Sequence, residues 1–284
     1  MIRSYPLTFD GLDFRSHSIV GFYELREKIA CIHFAFGSQS QEEYEKDKAT
    51  TSYVLLDVFS ADFAEHSQAY LDYREVELFT ANDAACYWES DRFFINTKRY
   101  EGFGPSIAKI IEIHDTKLVE IEDAPIPIKQ IYNDNKTYTF GDYIIRMASQ
   151  FMMECKSQTS GETIWKLKLS AYLYTEIEER NGVLYFGTAG KGGRFYGVYL
   201  ASGEVAFDYN TGGTERYGWY KGEVLMSNHK YKPVLISPKD GSDIRQIDIG
   251  KFKLHVYQYM LIKDDRFYAI ASGPDTMYAI CVDL

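Results

Sequence analysis

The run Thr-Ala-Gly-Lys-Gly-Gly at 188–193 is where this sequence comes nearest to a phosphate-binding loop. Such a loop needs a glycine five residues before the glycine of its Gly-Lys pair, and a Ser or Thr directly after the lysine. Backbone N–H groups then cradle the phosphates while the hydroxyl holds the metal. Here Tyr185 occupies the first position and Gly192 the second, and no helical pattern follows whose N-terminus could face an anion. The segment reads as a glycine-rich hairpin.

Other chemistry-bearing residues are scattered in the same way. His17, His33, His66, His114, His229 and His255 show no HxH or HExxH spacing that would put two ligands on one face, so each reads as a surface or strand residue. Glu42-Glu-Tyr-Glu-Lys-Asp47, Glu120-Ile-Glu-Asp123 and Glu176-Ile-Glu-Glu179 are rich in carboxylates. Neighbours on a strand point to opposite sides, however, and these runs read as solvated faces rather than as an acid/base pair. No GxSxG elbow is present. His229-Lys-Tyr-Lys232 places an aromatic between two lysines in what reads as a turn, too little charge for a phosphate backbone. The expectation is therefore no catalytic residue, no metal ligand set and no cofactor.

Composition narrows the class further. The chain has 284 residues, 31 basic and 41 acidic, for a formal charge of −10 and a pI near 5.2. Hydrophobic residues at 45% and charged residues at 25% exclude a disordered chain. Net negative charge disfavours nucleic acid. No run approaches the roughly 18–20 apolar residues of a membrane helix, and residues 1–13 lack a basic segment followed by an apolar one, so a cytoplasmic protein is expected. Cys31, Cys86, Cys155 and Cys281 are far apart, with no CxxC, and read as buried free thiols.

The elements that must position any site are strands. Twenty-four Tyr and 18 Phe favour sheets, and nowhere do apolar residues recur at helical spacing for three clean turns. Short apolar runs recur instead, in groups of four joined by tight polar turns. The turn between the first two runs acts as a ruler: Glu27, Asp91, Gly141, Gly182, Gly222 and Asp265 mark six instances, spaced 64, 50, 41, 40 and 43 residues apart. The later spacings match the roughly 40–50-residue period of a propeller blade. The expected fold is all-β, a single β-propeller domain over 1–284 with about six four-stranded blades. Residues 3–9 would add the outer strand of the last blade, where Pro6 is tolerable on a free edge. Seven blades would follow if residues 37–73 held an extra pair of strands.

The cleanest repeats carry a family resemblance. Val-Leu-Tyr-Phe-Gly-Thr at 183–188, then Phe-Tyr-Gly-Val-Tyr-Leu-Ala-Ser-Gly-Glu at 195–204 and Phe207, resembles the pyrroloquinoline-quinone-like propeller repeat, with a neighbouring copy at Ser160-Gly161-Glu162 and Trp165 and a degraded one at Asp240-Gly241. Gly161 to Gly203 and Trp165 to Phe207 are both 42 residues. The resemblance extends over residues 155–284 and implies the fold alone, since the repeat serves enzymes, assembly factors and binding proteins alike. Neither an adjacent cysteine pair nor a calcium cluster accompanies it, so it implies no quinone.

Function is read from the loops and first strands. Residues 37–52, with Tyr44, and 98–106, with Tyr100 and Phe103, are long irregular segments of the kind that mark a binding face. Aromatics recur near the start of the first strands, among them Tyr138, Tyr217, Trp219 and Tyr257. Packing between blades consumes many such rings, while the remainder suit a protein interface. The expected function is a non-catalytic binding module for a basic protein partner, with an immunity or antitoxin-like protein that neutralises a basic toxin as its specific form. A propeller hydrolase or lyase acting on a small molecule or glycan is the alternative.

Overall fold

In the computed structural model the described residues are 1–9, 14–37, 52–73, 86–89, 92–95, 108–114, 117–124, 137–212, 216–254 and 260–284, with side chains described for 1–9, 21–33, 55–70 and the last three of these ranges. The chain separates into two compact units. One comprises Met1, Arg3–Ile131 and Tyr278–Cys281, the other Ile2, Tyr132–Met277 and Val282–Leu284.

In the first unit, β2 (Phe14–Leu25), β3 (Lys28–Gly37), β4 (Ser52–Ser60) and β5 (His66–Tyr73) form one four-stranded sheet, and β6 (Cys86–Glu89), β7 (Arg92–Ile95), β8 (Ala108–His114) and β9 (Lys117–Ala124) form another. The second unit holds β10 (Thr137–Phe140), β11 (Tyr143–Ser149), β12 (Met152–Ser157) and β13 (Thr163–Lys168) as its first sheet. Next come β14 (Tyr172–Leu173) and β15 (Glu178–Arg180), both paired with β16 (Val183–Ala189), followed by β17 (Arg194–Tyr199) and β18 (Val205–Asn210). Then β19 (Tyr217–Tyr220), β20 (Glu223–Ser227), β21 (Pro233–Ile236) and β22 (Asp243–Gln246) make a sheet. In the sixth sheet β23 (Lys253–Leu254) and β24 (Leu261–Lys263) both pair with β25 (Arg266–Ser272), which is followed by β26 (Met277–Asp283) and then by β1 (Ile2–Pro6).

The first five sheets are antiparallel meanders in chain order, and the N-terminal strand joins the edge of the sixth. That is the strand topology of a β-propeller. Six sheets form among the described residues, the lower of the two counts expected from sequence. The joining strand ends at Pro6 rather than at Phe9. Thr8 N–H turns back to the Pro6 carbonyl at 3.0 Å, and Leu7 and Phe9 are buried beyond the ladder. In the second and fourth sheets of the succession that begins at β10 and ends at β26, the first lane is split into two short strands, a break that turn signals do not announce.

Five of the six ruler turns lie among the described residues, and each leads from the first lane of a sheet into the next strand; Asp91 lies outside the described residues. Asn181 and Gly182 (φ 54° and 80°) and Lys221 and Gly222 (φ 50° and 84°) both lie in the left-handed region, the condition for the hairpin turns whose twist matches the strands. The turns between third and fourth strands are three copies of one device. Gly161, Gly203 and Gly241 have φ of 73°, 71° and 69°, and their N–H groups bond to the carbonyls of Ser157, Tyr199 and Ser237. A register shift also recurs on the third strand, at Cys155/Lys156, Gly197/Val198 and Leu235/Ile236. The repeat is therefore structural as well as sequential.

Side-chain alternation explains the continuous apolar runs. Leu184 and Phe186 of β16 pack with Ile145, Met153 and Trp165 of the preceding sheet, while Tyr185 between them packs with Val224, Met226 and Val234 of the next. A strand buried on both faces cannot alternate apolar with polar residues.

Candidate functional site

Tyr138, Tyr217 and Trp219 converge on the broken first lane of the sheet that contains β14 and β15. Tyr217 and Trp219 are two apart on β19 and so share a face. The Tyr217 hydroxyl donates to Glu178 Oε1 at 3.0 Å, and the Trp219 indole N–H donates to Glu178 Oε2 at 2.9 Å. Arg180 donates to Oε2 at 3.1 Å and lays its guanidinium 3.7 Å above the Trp219 ring, which also meets Tyr185 edge-on at 5.1 Å and Tyr217 edge-on at 6.4 Å. Burial and the adjacent Glu178 carboxylate push the Tyr217 phenol well above its usual range. Burial, then Glu176, does the same to Tyr138, which hydrogen-bonds that carboxylate. The polar ends of these three aromatics thus engage Glu176 and Glu178, from a run that reads in sequence as a solvated face. Tyr44, Tyr100, Phe103 and Tyr257 lie outside the described residues.

A second polar group sits in the first unit. Asp57, His33 and His66 come from β4, β3 and β5, and Asp57 and His33 are fully buried. His33 Nε2 lies 2.7 Å from Asp57 Oδ2 and His66 Nε2 lies 2.7 Å from Oδ1, which also accepts from Gln68 at 2.8 Å. Burial alone pushes the Asp57 carboxyl up, but the bonds from His33, His66 and Gln68 outweigh it and hold the group below its ordinary range. An ionised carboxylate only accepts, so both Nε2 atoms carry protons and donate. His66 packs between Tyr5, at 3.7 Å between ring centroids, and Phe59 at 4.7 Å. Sequence reasoning treated the histidines singly and missed this network. The signal it had was Asp57 itself, a charge inside the apolar run Val-Leu-Leu-Asp-Val-Phe at 54–59.

Of the remaining motifs, residues 188–193 close the hairpin between β16 and β17, with the Thr188 hydroxyl accepting from Arg194 N–H at 2.9 Å. Residues 229–232 lie in the turn between β20 and β21, where the Lys232 ammonium donates to the carbonyls of Gly250 and Phe252 at 2.6 Å each. Cys31, Cys155 and Cys281 are free and buried.

Charge is segregated in the second unit. The first–second and third–fourth turns carry Asp142, Glu162, Glu204, Asp240, Asp264 and Asp265 against Lys221 and Lys239. Among the described residues, the second–third turns and the connections between sheets carry Lys191, Arg216, Lys230, Lys232 and Lys251 against Asp248 and Asp275. Several acids at the first end cap their turns. Asp142 accepts from Ser157 and Thr159, and Asp240 from Ser242, bonds that hold both carboxyls below their usual range.

No family model and no curated protein matches the chain. Among solved structures it is similar to BamB from Moraxella catarrhalis, at 9% identity and a TM-score of 0.44 over 95% of this chain and 99% of that one. It is also similar to the Cps50 (Swd1) β-propeller domain of Myceliophteria thermophila, at 11% identity and 0.36 over 95% and 97%. A europium-containing methanol dehydrogenase aligns at 8% identity and 0.38 over 66% of this chain and 46% of its own.

Proposed function

We propose that the chain is a non-catalytic β-propeller, a single cytoplasmic domain built from the pyrroloquinoline-quinone-like repeat without a quinone, that binds a basic protein partner. The observation that carries this reading is the acidic turn end of the second unit, where six turn carboxylates face two lysines on successive sheets. Capping bonds hold Asp142 and Asp240 below their ordinary range, and the spread of the six carboxylates across several turns suits a protein surface better than one small ion. Like-signed charge on one end accelerates encounter with a partner of opposite sign and falls away as salt rises. Neutralisation of a basic toxin, such as a nuclease, by an immunity or antitoxin-like protein is the specific role that this charge favours. The glycine contacts made by Trp165 and Phe207 support the assignment of the repeat.

The test is capture of the tagged protein's partners from a lysate of its source, washed at low and then moderate salt. One stoichiometric basic protein, released as salt rises and bound about tenfold more slowly by E162K/E204K, is the expected result. A bait that retains no protein at either salt would overturn the reading and direct attention to a small-substrate screen.

A further inference from the structure

The opposite end of the second unit has features that a basic partner does not use. Phe151, in the turn between β11 and β12, and Tyr172, on β14, are large rings left 39% and 46% exposed, stacked on each other at 6.0 Å with planes 26° apart. The pair is built in. The Phe151 carbonyl accepts from Leu169 N–H at 2.9 Å, and Tyr172 lies against Gly190, where an added Cβ would stand 3.5 Å from the phenol oxygen. Gly192 is tied to the same connection, since its carbonyl accepts from the Ser170 hydroxyl at 2.7 Å.

Two cations flank the pair. Lys168 ends β13 opposite Met152, one residue after Phe151, and Lys191 stands between the two anchored glycines. Both are exposed, and among the described residues neither has a carboxylate or ring partner. Several other basic side chains of the unit are matched: Arg146, Lys156 and Lys166 surround Glu154, Arg194 meets Asp208, and Lys221 meets Asp265, while Lys230 and Lys251, which lie at the same end as Lys191, are exposed and without an ion pair among the described residues. Exposed stacked rings beside two exposed lysines constitute an apolar anchor site with positive charge at its edge.

We propose that this end is a docking surface for a carboxylate-rich peptide segment with an aromatic anchor, the anchor lying on Phe151 and Tyr172 and the carboxylates on Lys168 and Lys191. Stacked rings supply offset packing for one more aromatic, and exposed lysines read acidic side chains without the fork geometry that phosphates favour. A nucleic acid fits less well, because its many phosphates would meet the field of a chain with net charge −10. The surface is at the other end of the sheets from the acidic turns, so it stands or falls independently of the basic-partner reading.

A fluorescein-labelled peptide of glutamates with one central phenylalanine, titrated with the full chain at low salt and read by anisotropy, tests this. Saturable binding is expected, weakened about tenfold by K168E/K191E and about tenfold by F151A/Y172A, each about 1.4 kcal/mol. K239E, at the acidic end, is expected to bind like the parent. All four positions are exposed, and thermal melts confirm that each variant folds. The proposal is overturned by absence of saturable binding to the parent, by either double variant binding unchanged, by an all-glutamate peptide binding as tightly, or by an oligothymidylate displacing the peptide at equal concentration.

Discussion

The indole of Trp165 lies flat against the backbone of Gly203, a turn residue of the next sheet, and its N–H donates to the Leu200 carbonyl at 2.8 Å. A Cβ on Gly203 would stand 2.5 Å from the ring. The relationship repeats one sheet on, where Phe207 occupies the register position of Trp165 and covers Gly241, with a Cβ approach of 2.6 Å. In these two cases a ring of one sheet locks the third–fourth turn of the next, and the two locking rings are 42 residues apart.

Substituting Gly203 tests that lock. Gly203→Ala carries two penalties, an added methyl against a buried indole and a left-handed φ of 71°. Together they are expected to destabilise by about 2–4 kcal/mol. Gly222→Ala has φ 84° and nothing within 4 Å of the new Cβ, so only the conformational cost of about 1–2 kcal/mol applies. Denaturant midpoints should fall in that order, and equal losses would show that the ring contact contributes nothing.

The buried carboxylate makes stability depend on pH. Asp57 is held below its ordinary range in the folded chain, so below the unfolded value of about 3.9 the unfolded state binds more protons than the folded one. The stability contributed by Asp57 is therefore complete above that value and is lost as pH falls through the folded one. Asp57→Asn should cost about 1–3 kcal/mol near neutral pH, because an amide nitrogen would face a donor. The gap between variant and parent in thermal midpoint should narrow below about pH 4. A gap that stays constant to pH 2 would show that Asp57 is not the titrating group.

Removing the carboxylate that Tyr217 and Trp219 share should loosen two sheets at once. Glu178→Ala leaves the indole N–H without its acceptor and the half-buried phenol with its longer bond to the Tyr185 carbonyl at 3.3 Å, an expected loss of about 1–3 kcal/mol. Glu178→Gln keeps an acceptor and should recover most of it. Near-ultraviolet circular dichroism should change in the alanine variant and stay near the parent in the glutamine one.

Thiol chemistry separates the folded from the unfolded chain. Burial pushes the Cys155 thiol up to about 11, and burial with the Asp57 charge raises Cys31 well above its ordinary value. Reaction with a disulfide reagent at pH 8 is expected to be slow for Cys31, Cys155 and Cys281 in the native protein and fast in denaturant, since only the thiolate attacks. Mass mapping that found Cys31 modified as fast as in the unfolded chain would contradict the burial.

What the sequence by itself determined is what depends on neighbours along the chain. Asn181-Gly182 and Lys221-Gly222 need only their own backbone preferences to form hairpin turns, and aromatic and branched runs between such turns can form only strands. From these the six-sheet count, the period and the N-terminal strand in the last sheet were legible, with the strand's end misplaced by three residues because the Thr8 turn at Pro6 depends on geometry. The tertiary structure decided which polar groups meet. Asp57 is 24 residues from His33, Trp165 is 35 from Leu200, and Glu178 is 41 from Trp219. Spacing cannot rank such pairings, because on a twisted strand the partner depends on register and on which face is covered. Carboxylates that read as a solvated run became the acceptors of half-buried phenols once packing brought the rings against them.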